Sequence, residues 1–170
     1  MLYAIIGVKT NKCIVMIGSD TGSTLIQQMN RVSLDHPNSV TTTNSLPFYI
    51  YCESAACVIA NTMYVAGVGQ FPYKELWKLS KSLKWQKLAE MPTGRRRHGV
   101  AVINSTIYVL GGWKDADKTI LDDVMSYNTE MNTWSNAEKL VHAVSSFACL
   151  SYNSFIYLFG GHDINDEAVS

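Results

Sequence analysis

The tetrapeptide Asp20-Thr21-Gly22-Ser23 has the form in which aspartic proteases present a catalytic carboxylate on a tight turn. That chemistry needs two carboxylates sharing one proton, because like charges about 3 Å apart cannot both ionise. No second Asp-Thr-Gly or Asp-Ser-Gly occurs in the 170 residues, so such an enzyme would have to dimerise. A second concentration of reactive groups is Arg95-Arg96-Arg97-His98, whose guanidinium forks suit bidentate capture of carboxylate or phosphate. The histidines, His36, His98, His142 and His162, stand far apart without metal-ligand spacing, and no Gly-x-Ser-x-Gly, phosphate-binding loop or dinucleotide fingerprint occurs. No catalytic residue, metal or other cofactor is expected.

Composition narrows the partners. Lys plus Arg equals Asp plus Glu at 14 each, so no bulk field favours nucleic acid or an anionic membrane. Nucleic-acid binding would need more basic surface than three arginines in a neutral chain. No apolar stretch approaches the roughly 20 residues of a membrane-spanning helix. The start MLYAIIGVKTNK carries no basic leader and no small-residue cleavage site. Cys13, Cys52, Cys57 and Cys149 form no Cys-x-x-Cys pair and lie in or beside apolar runs, as reduced core thiols do. A cytoplasmic location is the expectation, and the sequon Asn104-Ser105-Thr106 reads as a turn.

The elements that position these groups emerge from a repeat. KCIVMIGS (12–19), TMYVAGVG (62–69), TIYVLGGW (106–113) and FIYLFGGH (155–162) are each an apolar strand ending on glycine. Their first glycines, Gly18, Gly67, Gly111 and Gly160, are spaced by 49, 44 and 49 residues. Another β-rich run precedes each phrase across a short polar turn, which gives four antiparallel hairpins. Third-strand segments MNRVSL (29–34), ELWKLS (75–80) and DVMSYN (123–128) follow, read as apolar inward and polar outward. A fourth strand contains Trp85 or Trp134, with Val40 at the corresponding place, and six residues later stand Leu46, Met91 and Leu140. Trp85 and Trp134 are expected to be core anchors. Four strands per about 45 to 50 residues, repeated, is the layout of a β-propeller blade. The fold class is therefore all-β, an incomplete propeller of three four-stranded blades plus half of a fourth, with approximate repeats 1–49, 50–92, 93–140 and 141–170 in one unit.

The third repeat resembles the kelch family, with Gly111-Gly112 after the second strand, Tyr127 in the third and Trp134 in the fourth. The second repeat departs with Gly67-Val68, the first with Gly18-Ser19 and no tryptophan, and the fourth keeps Gly160-Gly161 but lacks outer strands. The glycine register sets Asp20-Thr21-Gly22-Ser23 opposite Trp113 to Ala116, in a loop leaving the second strand, where turn chemistry alone accounts for it. The protease reading falls with it.

The resemblance implies that the connection Arg95, Arg96, Arg97, His98 faces a central ligand-binding surface and that Trp113 and His162 open onto the same face. The competing reading is a solvated loop with at least one arginine paired to Asp115, Asp117 or Glu90. The equivalents of Arg95 and His98 are Tyr51 and Ser54 in the second repeat, Val144 and Phe147 in the fourth, so the basic patch belongs to one blade. The implied ligand is a protein or peptide, an acidic segment suiting the arginines. Kelch propellers usually close with about six blades, so this ring stays open, as a fragment of a longer chain or a unit that self-associates. Longer relatives of the family carry BTB and helical domains that join the propeller to a cullin-RING ubiquitin ligase. That adaptor role leads, a cytoskeletal actin-binding scaffold is second, and a galactose-oxidase-like copper enzyme is a remote third.

Overall fold

Asn and Ser stand at the hairpin tips where the backbone must turn left-handed. Ala60 and Asn61 have φ of 46° and 65°, and Asn153 and Ser154 have 47° and 64°. Two consecutive left-handed residues match the twist of the flanking strands. The computed structural model describes residues 6–9, 13–17, 29–36, 39–43, 46–50, 53–80, 82–165 and 167–168, with backbone alone at 6–9, 13–17 and 43. Gly18, Asp20-Thr21-Gly22-Ser23, Tyr51 and Cys52 lie outside the described residues.

The first blade is β1 (Ile6–Lys9), β2 (Cys13–Ile17), β3 (Met29–Ser33) and β4 (Val40–Thr43), antiparallel and adjacent in chain order. The second blade is β5 (Ala55–Ile59), β6 (Thr62–Val68), β7 (Glu75–Leu79) and β8 (Trp85–Lys87). In the third, β9 (Gly99–Ile103) and β10 (Thr106–Leu110) join β13 (Val124–Asn128) and β14 (Thr133–Asn136). Between them a two-stranded ribbon, β11 (Trp113–Lys114) with β12 (Thr119–Ile120), forms a separate small sheet that the glycine phrases did not foretell. The fourth sheet is the hairpin β15 (Ala148–Tyr152) and β16 (Phe155–Phe159). Strands β1, β5, β9 and β15 lie beside one another in that order, so the first strand of each blade is the innermost.

Three cores sit between the blades. Met29 of the first packs with Met63, Val65 and Leu79 of the second, closed from outside by Trp77 and Trp85. Tyr64, Ala66 and Leu76, on the other face of that second sheet, meet Ile107, Val109, Met125 and Tyr127. Ala101, Leu110 and Val124 meet Phe147, Cys149, Ile156 and Leu158. The third strands of the second and third blades are thus apolar on both faces, Leu76 pointing one way and Leu79 the other, rather than polar outward as their pattern suggests. A blade sandwiched between two others has no solvent face near its middle strands, which is why Met63 through Val68 are all buried.

The tryptophans hold the outer strands. Trp85 meets Phe48 edge-on with centroids 4.9 Å apart, and Trp134 lies 4.9 Å from Tyr127, its cross-strand partner. Trp134 also reaches the preceding blade, donating its indole N–H to the Ala89 carbonyl at 2.8 Å. Leu46 and Met91 are buried and Leu140 packs on the third core, so the register six residues past each tryptophan position marks a core residue. Cys57 and Cys149 are free thiols. Burial pushes Cys57 up to about 12 and raises Cys149, which leaves both as poor nucleophiles.

Candidate functional site

The described connections into β5, β9 and β15, and the loops that leave β6, β10 and β16, gather at one end of the sheets. Their geometry repeats. Arg96 and Trp113 exchange backbone hydrogen bonds, Arg96 N to Trp113 O at 3.0 Å and Trp113 N to Arg96 O at 2.7 Å. Ser145 and His162 do the same one blade later, at 3.1 Å and 2.9 Å. A second set runs around the rim: Arg97 N donates to Glu53 O at 3.0 Å and Ser146 N to Arg97 O at 2.9 Å. Glu53, Arg97 and Ser146 occupy one equivalent position, and all three are left-handed, with φ of 79°, 58° and 58°. For residues other than Gly or Asn that conformation costs about 1 to 2 kcal/mol, and such cost concentrates at working sites.

The glycines make room for these connections. A Cβ on Gly67 would stand 2.3 Å from His98 Cε1 and 3.0 Å from the Arg95 carbonyl, and one on Gly111 would stand 2.5 Å from the Val144 carbonyl. Glycine there is dictated by the close approach of the next blade's backbone as much as by its positive φ.

Each residue of the arginine cluster has a different fate. Arg95 is fully buried. It donates Nη2 to Asp123 Oδ2 at 2.7 Å and Nη1 to the Gly111 carbonyl at 2.9 Å, and stands 3.7 Å from Met125 Sδ. His98 is also buried, and among the described residues neither ring nitrogen makes a hydrogen bond. Burial, reinforced by the Arg95 charge, lowers its pKa to about 3, the Ala66 backbone acting in the opposite direction. Both side chains are turned into the blade interface rather than out onto the rim. The reason is geometric, since their equivalents Val144 and Phe147 fill the same inward places in the next blade.

Arg96 and Arg97 remain on the rim, their side chains 31% and 40% exposed. Arg96 Nε donates to both Asp115 oxygens, at 3.1 and 2.9 Å, while its Nη1 reaches Glu53 Oε2 at 3.1 Å. These carboxylates raise the Arg96 pKa, the hydrogen bonds to Asp115 most of all. Arg97 Nε donates to the other Glu53 oxygen at 2.7 Å. The anticipated pairing of one arginine with Asp115 is present, but Glu53 and Asp123 complete a network in which every guanidinium meets a carboxylate. Trp113 is half-buried and donates Nε1 to Asp115 Oδ1 at 2.9 Å. His162 is exposed and bridges by its backbone to Ser145 and Ala168. Glu53 was missed in the sequence, although it stands at the position of Arg97 one repeat earlier, and the register alone could have found it. Among the described residues no three His, Cys, Asp or Glu side chains gather as a metal site, and no helix is long and apolar enough to cross a membrane.

Radially stacked four-stranded sheets, innermost strand first, with polar loops gathered at one end, define a β-propeller repeat protein. The KLHDC2/KLHL20/DRC7 Kelch-repeats domain model matches residues 8–169. The chain belongs to the kelch-repeat family. It is similar to human Kelch-like protein 35, 36% identical over 129 residues, which are 74% of this chain and 22% of that protein. Human Kelch-like protein 6 is 32% identical over 112 residues, 65% of this chain and 18% of that protein. An N-acetylneuraminate epimerase of Pasteurella multocida is 36% identical over 87 residues, 48% of this chain and 23% of that enzyme. The chain thus spans less than a quarter of the length of each of these relatives.

Proposed function

We propose that this chain is a protein-recognition propeller that binds its partner through the rim formed by Glu53, Arg96, Arg97, Asp115, Trp113 and His162. The observation that carries this reading is the left-handed series Glu53, Arg97, Ser146, in which three successive connections present different polar side chains at an unfavourable backbone conformation. A rigid ladder of backbone hydrogen bonds holds those side chains in place, so little ordering cost falls on binding. Trp113 beside Arg96 supplies the aromatic and guanidinium types that dominate interface energetics. The arginines are already neutralised, so an acidic segment must displace Glu53 or Asp115 from them. The rim suits a partner that offers a carboxylate to Arg97 and a donor to the released Glu53.

By kinship with kelch-like proteins, the partner is a substrate delivered to a cullin-RING ubiquitin ligase in the cytoplasm, the cullin contact residing in domains other than this one. Affinity capture from cells with the wild-type chain and with an Arg97→Glu/Trp113→Ala variant tests the rim, near-ultraviolet circular dichroism confirming that both fold. Partners held by the wild type should bind the variant at least about ten-fold more weakly. Identical partner sets would sink the rim as the binding face. The ligase reading requires in addition that a captured partner accumulates when the proteasome is inhibited and that full-length protein co-purifies a cullin.

A further inference from the structure

The loop that leaves β6 carries an aromatic pair outside the ion-pair network of the rim. Phe71 is 59% exposed, and the Tyr73 ring meets it edge-on with centroids 5.9 Å apart. The loop belongs to the second blade, which has a neighbour packed on each face, so this exposure is not that of an uncovered sheet. Its backbone is anchored throughout. Gly69 N donates to the Tyr49 carbonyl, Tyr73 N to the Gln70 carbonyl and Met91 N to the Lys74 carbonyl, each at 2.9 Å. The Pro72 carbonyl lies so close on Gly94 that no Cβ would fit there. A large exposed ring on an ordered loop gives up little backbone freedom when it binds.

The anchor on Gly94 sets where this pair stands. Gly94 is two residues before Arg96, whose backbone exchanges hydrogen bonds with Trp113. The Phe71 loop and Trp113 therefore flank one short stretch of the connection into the third blade, with an extended step of at most about 7 Å between their anchors. With a backbone contact added at each end, the two loops stand on the order of 10 Å apart. The Trp113 indole N–H is taken by Asp115, so what its ring offers a partner is apolar surface. Arg97 gives Nε to Glu53, and among the described residues its Nη groups make no hydrogen bond. Those donors can meet a backbone carbonyl while the Glu53 pair stays intact.

We infer that this part of the rim receives a proline-rich extended segment of the partner, one proline on Phe71 and another, one turn further on, on Trp113. The inference rests on the rim as the binding face and adds the apolar part of what it binds. Such a segment forms a polyproline II helix of three residues per turn and about 3.1 Å per residue, so prolines at i and i+3 recur on one side about 9 Å apart. That repeat matches the separation of the two loops. Bulky aliphatic anchors gain most inside an enclosing pocket, whereas the Phe71 ring stands out from its loop and suits the flat ring of a proline. The carbonyls of the segment, unbonded within its own helix, are acceptors for Arg97.

Selection of random peptides displayed on phage against the purified chain tests this, followed by titration of synthetic copies of the selected peptides. Near-ultraviolet circular dichroism confirms that each variant folds. The wild type should enrich peptides with two prolines at i and i+3, and replacing either proline by alanine should weaken binding at least about ten-fold. Phe71→Ala should weaken it by a similar factor, whereas Phe71→Tyr, which keeps the ring, should bind as the wild type does. Enriched peptides without the paired prolines, or binding that Phe71→Ala leaves untouched, would overturn the proposal. If such peptides are still lost in the Arg97→Glu/Trp113→Ala variant, the rim stands as the binding face and the proline segment alone falls; peptides lost in neither variant remove both. A selection that enriches nothing also overturns the proposal, since a short linear segment should suffice, and leaves the rim to the capture experiment above.

Discussion

The connection into the third blade and the connection into the fourth trace the same path with opposite chemistry. Arg95 and Val144 are both buried, their carbonyls set against Gly67 and Gly111. His98 and Phe147 both fill the space beside those glycines. Arg96 and Ser145 both pair with the residue after a Gly-Gly, and Arg97 and Ser146 are both left-handed links of the rim. The buried side chains of one connection bring an ion pair and an imidazole, those of the other only apolar contact. The backbone geometry is therefore set by the glycine notch and the hydrogen-bond ladder, and the side chains are free to differ.

The largest expected difference lies at Arg95. Replacing it by Met leaves the Asp123 carboxylate and the Gly111 carbonyl without their donor, at a cost of about 3 to 5 kcal/mol. Val144→Ala removes only two methyl groups from the matching place, about 1 to 2 kcal/mol. Urea unfolding midpoints measure both, and equal losses would show that the ion pair does not distinguish the two connections.

His98 against Phe147 gives the next effect, and it depends on pH. The folded state keeps His98 neutral down to about 3, whereas the unfolded chain protonates near 6.5. The unfolded state takes up the proton first, so stability is complete above about 6.5 and falls as pH drops towards 3. Between pH 6.5 and about 4.5 the loss should be about 2 to 3 kcal/mol. His98→Phe, which copies the fourth blade, should flatten that slope, and a slope unchanged in the variant would assign the pH dependence to other groups.

Glycine substitutions sharpen the comparison further. Gly111→Ala forces a Cβ to within 2.5 Å of the Val144 carbonyl at a φ of 53°, while Gly160→Ala has a φ of 66° and open space. The first should cost about 2 kcal/mol more than the second, whose penalty is backbone strain of about 1 kcal/mol. Thermal denaturation of the pair reads the difference.

The strands were legible because apolar runs and Asn or Ser turns are local signals, and the repeat spacing multiplied them fourfold. Trp85, Trp134 and Tyr127 revealed the outer strands for the same reason. The division of the arginine cluster was not legible, because four consecutive residues differ only in which way the connection turns them. That turn hinges on Arg97, a left-handed residue whose type gives no hint of it. The partners Glu53 and Asp123 lie 44 residues before Arg97 and 28 residues after Arg95, too distant for local pattern to pair. The β11–β12 ribbon escaped notice because two-residue strands carry no periodicity.

The smallest effect bears most directly on function. At Glu53, Arg97 and Ser146 glycine would adopt the observed φ without a Cβ clash, yet three different polar residues stand there. Relief of about 1 to 2 kcal/mol of left-handed strain, less about 0.5 to 1 kcal/mol for the greater freedom of glycine when unfolded, leaves a net gain near 0.5 to 1 kcal/mol for Ser146→Gly. Arg97→Gly should gain less, because it also breaks a half-exposed ion pair worth under about 1 kcal/mol. If the rim positions exist to present side chains, both glycine variants should fold at least as well as the wild type and Arg97→Gly should lose partner capture. A glycine variant that is both more stable and fully competent to bind would show that the left-handed link serves the ladder of backbone hydrogen bonds and not recognition.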